Sequence, residues 1–222
     1  MGKSMTWGDA KLIALQTMYS NDGVTLVEDD VNREYLNAMP GKANEGLQQI
    51  ASVGRPILKS WTIEVKADGS GEGDEEKLEL PLDGSLYYKV KLGYYLPRFR
   101  CVHQLMLADS ISYGPAEEYN VEGDDVLVLP GGSAGTYTLW YKAYPQTITA
   151  ETPDSEIIDL APEAAVLLPL YMAAELYKED ELSLATVLRN EYEDGLVKLQ
   201  TAYAASGAGF RSAGFCNTTG WW

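Results

Sequence analysis

Residues 68–79 hold the spacing in this chain that comes nearest to a metal site. Oxygen-bearing side chains stand at loop positions one, three, five, nine and twelve (Asp68, Ser70, Glu72, Glu76, Glu79), with Gly73 at position six. That is the pattern a calcium loop uses to wrap a hard cation in oxygens. Glu75 stands where an apolar residue normally packs, and the flanking segments alternate as strands, whereas such a loop needs helices. The expected reading is a solvated acidic turn, with no metal assigned. His103 is the single histidine, too few for zinc or a nucleophilic triad, both of which need convergent partners. It is expected to be a structural residue in a strand.

Glu117-Glu118 and Asp124-Asp125, near Tyr113 and Tyr119, supply the residue types of glycoside hydrolysis. Adjacent acids in turns are ordinarily solvated, and acids are abundant everywhere in the chain. Gly69, Gly71 and Gly73 lack dinucleotide-binding spacing and no helix follows them. Cys101 and Cys216 are far apart and are expected to be free thiols. No cofactor is called for, and the chain is not read as an enzyme.

Charge narrows the partners. Seventeen Lys and Arg face 33 Asp and Glu, a formal charge of −16 over 222 residues. Tight nucleic-acid binding needs cations that displace counterions from phosphates, so DNA is expected only as something repelled by an acidic wall. The nearest approach to a basic cluster is Lys89, Lys91, Arg98 and Arg100. In so acidic a chain, Arg98 and Arg100 are expected to meet the acids of a neighbouring subunit, where complementary charge sets register. No apolar run is long enough for a membrane span and no secretory leader precedes the first helix, so a protein made and used without export is expected.

Those groups must be held by elements, and the periodicity changes along the chain. Thr6 and Asp9 have the spacing of a capping box ahead of Leu12, Leu15 and Tyr19, which recur on one helical face. Thr25 and Glu28 repeat the signal before Val31, Tyr35 and Met39. Pro40-Gly41 is expected to break that helix, leaving a third helix with Leu47, Ile50 and Val53 inward. From Trp61 the period becomes two, with Trp61, Ile63 and Val65 on one face. Six or seven short strands follow to about position 144, expected as a sandwich or curled sheet. Residues 122–124 are read as a tight hairpin turn, and 130–135 as a looser hairpin joining the final two strands. Helix returns at Pro162, suited to a first turn, with a kink expected at Pro169. A second helix carries Leu184, Leu188, Tyr192, Leu196, Leu199 and Tyr203 at helical spacing, forming an antiparallel hairpin with the first.

The fold class expected is therefore α+β: a helical bundle formed by the N- and C-terminal segments with an inserted antiparallel β domain. The boundaries read as 1–59 for the N-terminal helices and 60–150 for the β domain. The C-terminal hairpin covers 151–206, and an extended docking arm 207–222. The arm has glycines at 207, 209, 214 and 220 and the aromatic residues Phe210, Phe215, Trp221 and Trp222. It can form no core alone, and such aromatic groups dominate contact energy once buried in a partner. Adding as a strand to a partner's sheet edge would suit its glycines.

This order of segments resembles the head-to-tail connector, or adaptor, proteins of tailed bacteriophages. The likeness is best over residues 160–180 and onward. It rests on Pro162, the Tyr171, Glu175 and Tyr177 face, the turn at Asp180, and Leu188 to Tyr192. The resemblance implies a structural virion protein of the neck, assembled in the host cytoplasm. Its copies would form a homo-oligomeric ring, commonly twelvefold. The ring docks on the portal protein, meets a tail or stopper protein below, and leaves a channel through which DNA passes without specific binding. A second reading uses the fifteen tyrosines and five tryptophans. Those on strands, such as Tyr87, Tyr88, Tyr94, Tyr95, Tyr137 and Trp140, would stack sugars in a carbohydrate-binding or host-surface-binding module.

Overall fold

The computed structural model describes residues 4–19, 32–66, 77–108, 113–132 and 134–209. The capping pair at Thr25 and Glu28, Val31, most of the 68–79 loop, Cys216 and the arm from Phe210 lie outside them. The chain is α+β and divides into two compact units. Residues 1–55 and 146–222 form one, and residues 56–145 the other.

The first unit is helical. Helix α1 (Trp7–Tyr19) starts as its spacing demands. The Thr6 backbone N–H donates to Asp9 Oδ2 at 3.2 Å and the Asp9 N–H donates back to Thr6 Oγ1 at 3.1 Å, which satisfies one donor of the open first turn. Trp7 and Gly8 donate theirs to the carbonyls of Glu156 and Asp154. A Cβ on Gly8 would stand 2.9 Å from that of Asp154, so this close crossing requires glycine.

The buried stripe of α1 is Trp7, Ala10, Ala14, Leu15 and Met18, not Leu12, Leu15 and Tyr19. Leu15 is common to both, but Leu12 is only half-buried and Tyr19 is exposed. Two alanines on the inner face let α1 approach its neighbour closely, an advantage that hydrophobicity alone does not rank.

Helix α2 (Arg33–Val53) corrects the expected break: it runs straight through Pro40-Gly41. Met39, Ala43, Gly46, Leu47 and Ile50 make one continuous buried stripe. Packing along it outweighs the roughly 3 kcal/mol that an interior proline costs.

Helix α4 (Pro162–Ala165) opens on Pro162 as expected. Pro169 does not kink a long helix, however. Val166 separates α4 from α5 (Leu167–Leu176), and Pro169 falls in the first turn of α5, where its missing N–H would have had no intrahelical partner. Helix α5 buries eight of its ten residues and packs against α1, α2 and α6 (Leu182–Gly209). It is the central post of the unit. Between α5 and α6, residues 177–181 reverse the chain, so Arg189 returns beside Glu175 and Gly195 beside Leu167.

The second unit is a two-sheet sandwich around one apolar core. The larger sheet orders β2 (Lys77–Pro81), β1 (Ile57–Lys66), β8 (Gly135–Ala143), β4 (Phe99–Ala108) and β5 (Tyr113–Pro115). The smaller orders β3 (Tyr87–Lys91), β7 (Val126–Pro130) and β6 (Asn120–Glu122), with the single turn α3 (Leu92–Tyr95) following β3. Trp61, Ile63 and Val65 alternate into the core as their spacing requires.

Gly123, at φ +60°, makes the tight β6–β7 turn, a conformation that favours glycine. Two expectations change here. The sheets are not wholly antiparallel, since β1 and β2 pair in parallel with Thr62 opposite Lys77. Residues 130–135 make no hairpin, because β7 and β8 lie in different sheets. At Gly131 a Cβ would fall 1.9 Å from the Ser85 carbonyl oxygen, so the crossover is threaded against backbone where only glycine fits.

Candidate partner-binding surfaces

The residues that resemble the connector pattern converge inside the helical unit. Tyr171 and Tyr192 lie with ring centroids 5.0 Å apart, and the Arg189 guanidinium stands 5.5 Å from each ring. Arg189 also donates to Glu175 Oε1 at 2.9 Å and to Glu193 Oε1 at 2.8 Å. From α2, Gln49 Nε2 donates to the Tyr171 hydroxyl at 3.1 Å. The Tyr171 hydroxyl donates to Glu45 Oε2 at 3.1 Å, and the Tyr192 hydroxyl to Gln49 Oε1 at 3.2 Å.

A side-chain network thus ties α2, α5 and α6 together. Burial raises the hydroxyl pKa of both Tyr171 and Tyr192, which keeps them neutral donors. A neighbouring trio, Tyr19, Tyr35 and Tyr177, meets edge to face at about 6 Å. The Tyr35 hydroxyl donates to Asp180, which raises its pKa. Tyr177 donates to the Met18 carbonyl at 2.7 Å. The sequence displays the tyrosines and Glu175, but Glu45, Gln49 and Arg189 have no spacing that marks them. Their role is architectural, with every polar group turned to another part of the same unit.

Arg98 and Arg100 both engage Tyr144. Arg98 donates from Nε and Nη2 to the Tyr144 carbonyl at 2.9 and 2.6 Å, while the Tyr144 N–H donates to the Arg98 carbonyl at 2.8 Å. Arg100 sits where the β4–β8 register shifts, exposed, with its guanidinium 5.9 Å from the Tyr144 ring centroid. Arg98 therefore has an internal task at the end of the sheet, and Arg100 faces outward. Lys89 is paired with Glu122 at 2.6 Å across the smaller sheet. His103 lies at the second register shift and is exposed on β4.

The aromatic residues of the sandwich do not gather on one face. Tyr137 is buried and Tyr141 packs against the core beside Phe99. Trp140 points to the opposite face of β8, where its cross-strand neighbours are Ser60 and Gln104. Tyr87, Tyr94 and Tyr113 are exposed on β3, α3 and β5 respectively. Tyr95 stacks on Trp61 at 5.3 Å, beneath Tyr94. The Trp61 Nε1 is buried and has no hydrogen-bond partner among the described residues.

At the end of the sandwich away from Arg98, a cleft of about 410 Å³ opens between β5 and the loop after β7. Leu107, Pro115, Ala116 and Tyr137 line it, and the exposed Glu117 and Glu118 stand at its rim. The acidic pair read from the sequence thus borders a hollow of mixed polar and apolar lining. No group of three or more potential metal ligands occurs among the described residues. Glu79, inside β2, is held by Lys77 at 2.7 Å and Lys66 at 3.0 Å, which lower its carboxyl pKa to about 2.

Phe210, Phe215, Trp221 and Trp222 lie outside the described residues, but the helix that leads to them does not. The last residues of α6 that pack on the helical core are Leu196 and Leu199. Residues 200–205 are all exposed. Asp194 is the last of the 33 acids, and beyond it the charged side chains are Lys198 and Arg211. Compared with known protein families and with curated proteins, the chain matches none.

Proposed function

We propose that the chain is a structural virion protein: a ring-forming head-to-tail adaptor that docks on a portal, joins it to a tail or stopper protein, and leaves a channel for DNA. The observation that carries the reading is the end of α6, whose residues 200–205 are exposed and lead in sequence to Phe210, Phe215, Trp221 and Trp222. An exposed helical end followed by four aromatic residues suits docking on a second polypeptide. The unmatched charge of −16 supports a passage that DNA crosses without being gripped.

The helical unit built from both ends of the chain, with the β unit between them, agrees with the segment order of such adaptors. Electron microscopy of the purified protein, alone and with a portal ring, tests the assembly: closed rings are expected. Truncation before Gly207 should leave a folded subunit that no longer attaches to the portal in a pull-down. Attachment that survives the truncation, or particles that never close, would reject the reading.

A further inference from the structure

We infer that the cleft between β5 and the loop after β7 binds a small organic cation, a guanidinium or primary ammonium group carried on a short hydrocarbon stem. The site belongs to the β unit alone and makes no use of the adaptor reading. Its signal is Tyr137. This residue lines the cleft although only 2% of it is exposed, and its hydroxyl has no hydrogen-bond partner among the described residues. Burial, and then the charge of Glu118, raise the hydroxyl pKa, so the group is neutral and able to donate or accept. An enclosed hydroxyl without a protein partner is a free anchor for a ligand atom.

The charge of the ligand follows from the rest of the lining. Glu117 and Glu118 border the same cleft, and neither has an ion-pair partner among the described residues. Two exposed acids would by themselves only be solvated; the buried hydroxyl beside them makes the cleft a site. No Lys, Arg or His stands among the described lining residues, so a phosphate or carboxylate ligand would meet two like charges with nothing to answer it. A bare divalent ion needs more converging oxygens, and no group of three or more potential metal ligands occurs among the described residues. A sugar would stack on an exposed ring face, whereas Tyr137 is the only ring in the described lining and is buried. What remains is a cation whose donors reach the carboxylates while its stem lies along Leu107, Ala116 and Pro130. A guanidinium has five donors for such a pair, and about 410 Å³ is room for the group and its stem.

The test uses the full chain with n-butylguanidinium as the probe, read by calorimetric titration and by amide chemical shifts, with circular dichroism verifying that each variant folds. Saturable binding is expected, with shifts centred on Leu107, Ala116 and Tyr137. Glu117→Gln with Glu118→Gln should weaken it about tenfold or more, and Tyr137→Phe about threefold. Glu151→Gln with Glu191→Gln removes the same charge from exposed acids of the helical unit and should leave the affinity within about twofold. Neutral n-butyramide, of similar shape, should not bind measurably. N-acetylarginine methylamide distinguishes the two sources of this chemistry: equal binding assigns it to the side chain of a polypeptide, and binding about tenfold weaker to a free molecule. The site is overturned by an absence of saturation, by shifts away from the cleft, or by a neutral probe that binds as well. It is equally overturned by an affinity that stays unchanged in the cleft variants, or that falls as far in the control variant. The adaptor reading stands in each case, because ring closure and portal attachment are measured separately.

Discussion

The helical unit and the β unit solve the same problem by different means. Around α5, half-buried polar side chains tie three helices together: Gln49 bridges two tyrosine hydroxyls, and Arg189 joins two glutamates and two rings. In the sandwich, the core is apolar and the ion pairs sit at its margin, as with Lys66, Lys77, Glu64 and Glu79 on the β1–β2 edge. Polar groups specify which surfaces meet only where leaving them unpaired is costly. Helices sliding along one another need such specification. Strands already have register from their ladders.

The largest effect expected from this contrast is at Tyr192, which is fully buried. Tyr192→Ala should destabilise the helical unit by about 3–5 kcal/mol, in line with emptying an aromatic site, measured by urea unfolding. Gly46→Ala comes next. Its Cβ would fall 2.7 Å from the Tyr171 Cδ1 and 3.0 Å from the Leu168 Cδ1. The overpacking should outweigh alanine's better helix propensity, for a net loss of about 2 kcal/mol. An increase in melting temperature would mean that α2 and α5 are less tightly locked than described.

Arg189→Met keeps the hydrophobic stem but leaves Glu175, whose side chain is only 15% exposed, with the longer pairing to Lys178 at 3.6 Å. The loss should be about 1 kcal/mol, moderated because the guanidinium is itself partly in water. The counterpart in the sandwich, Glu79→Gln, should lower the unfolding midpoint by clearly less than Arg189→Met does, because its ion pairs are solvated. A cost as large as that of Arg189→Met would erase the distinction between the two units.

Titration sharpens the comparison from both ends of the pH scale. Tyr171 and Tyr192 have hydroxyl pKa values raised by burial, and Tyr35 mainly by its bond to Asp180. Their contribution is fully present below the ordinary tyrosine value near 10 and is lost as pH rises past it toward the folded values. Glu79 and Glu64 act oppositely. Lowered chiefly by Lys77 and Lys66 respectively, they contribute above the ordinary carboxyl range and lose that contribution as pH falls toward about 2 for Glu79. Tyrosine absorbance and unfolding followed from pH 8 to 12 should show Tyr192→Phe losing part of the alkaline response. No difference from wild type would remove Tyr192 from that account.

Local spacing was legible wherever a short-range rule had no competitor. The Thr6 and Asp9 capping pair, the alternation at Trp61, Ile63 and Val65, the turn at Gly123 and the helical start at Pro162 follow from hydrogen-bond reach or side-chain period. The errors fell where packing overruled a local preference. Pro40 lost to a stripe spanning Met39 to Ile50, and Pro169 was absorbed in a first turn. At the candidate site, Glu117-Glu118 was visible as an acidic pair, but the hollow it borders needs Leu107 and Tyr137 from two other strands. Arg98 and Arg100 were visible as cations, while their shared anchorage on Tyr144 depends on the meeting of β4 and β8.

By itself the sequence determined the alternation of helix, strand and helix periods, the acidic balance and the acid-free aromatic end, because these depend on residue type and neighbours a few positions away. Tertiary structure alone decided that β1 and β2 run parallel, that β7 and β8 part into different sheets, and that Arg189 meets the rings of Tyr171 and Tyr192. Each of those results joins residues far apart in the chain. What selects among such joinings is the fit of whole surfaces, down to the one Cβ that Gly46 and Gly131 must lack.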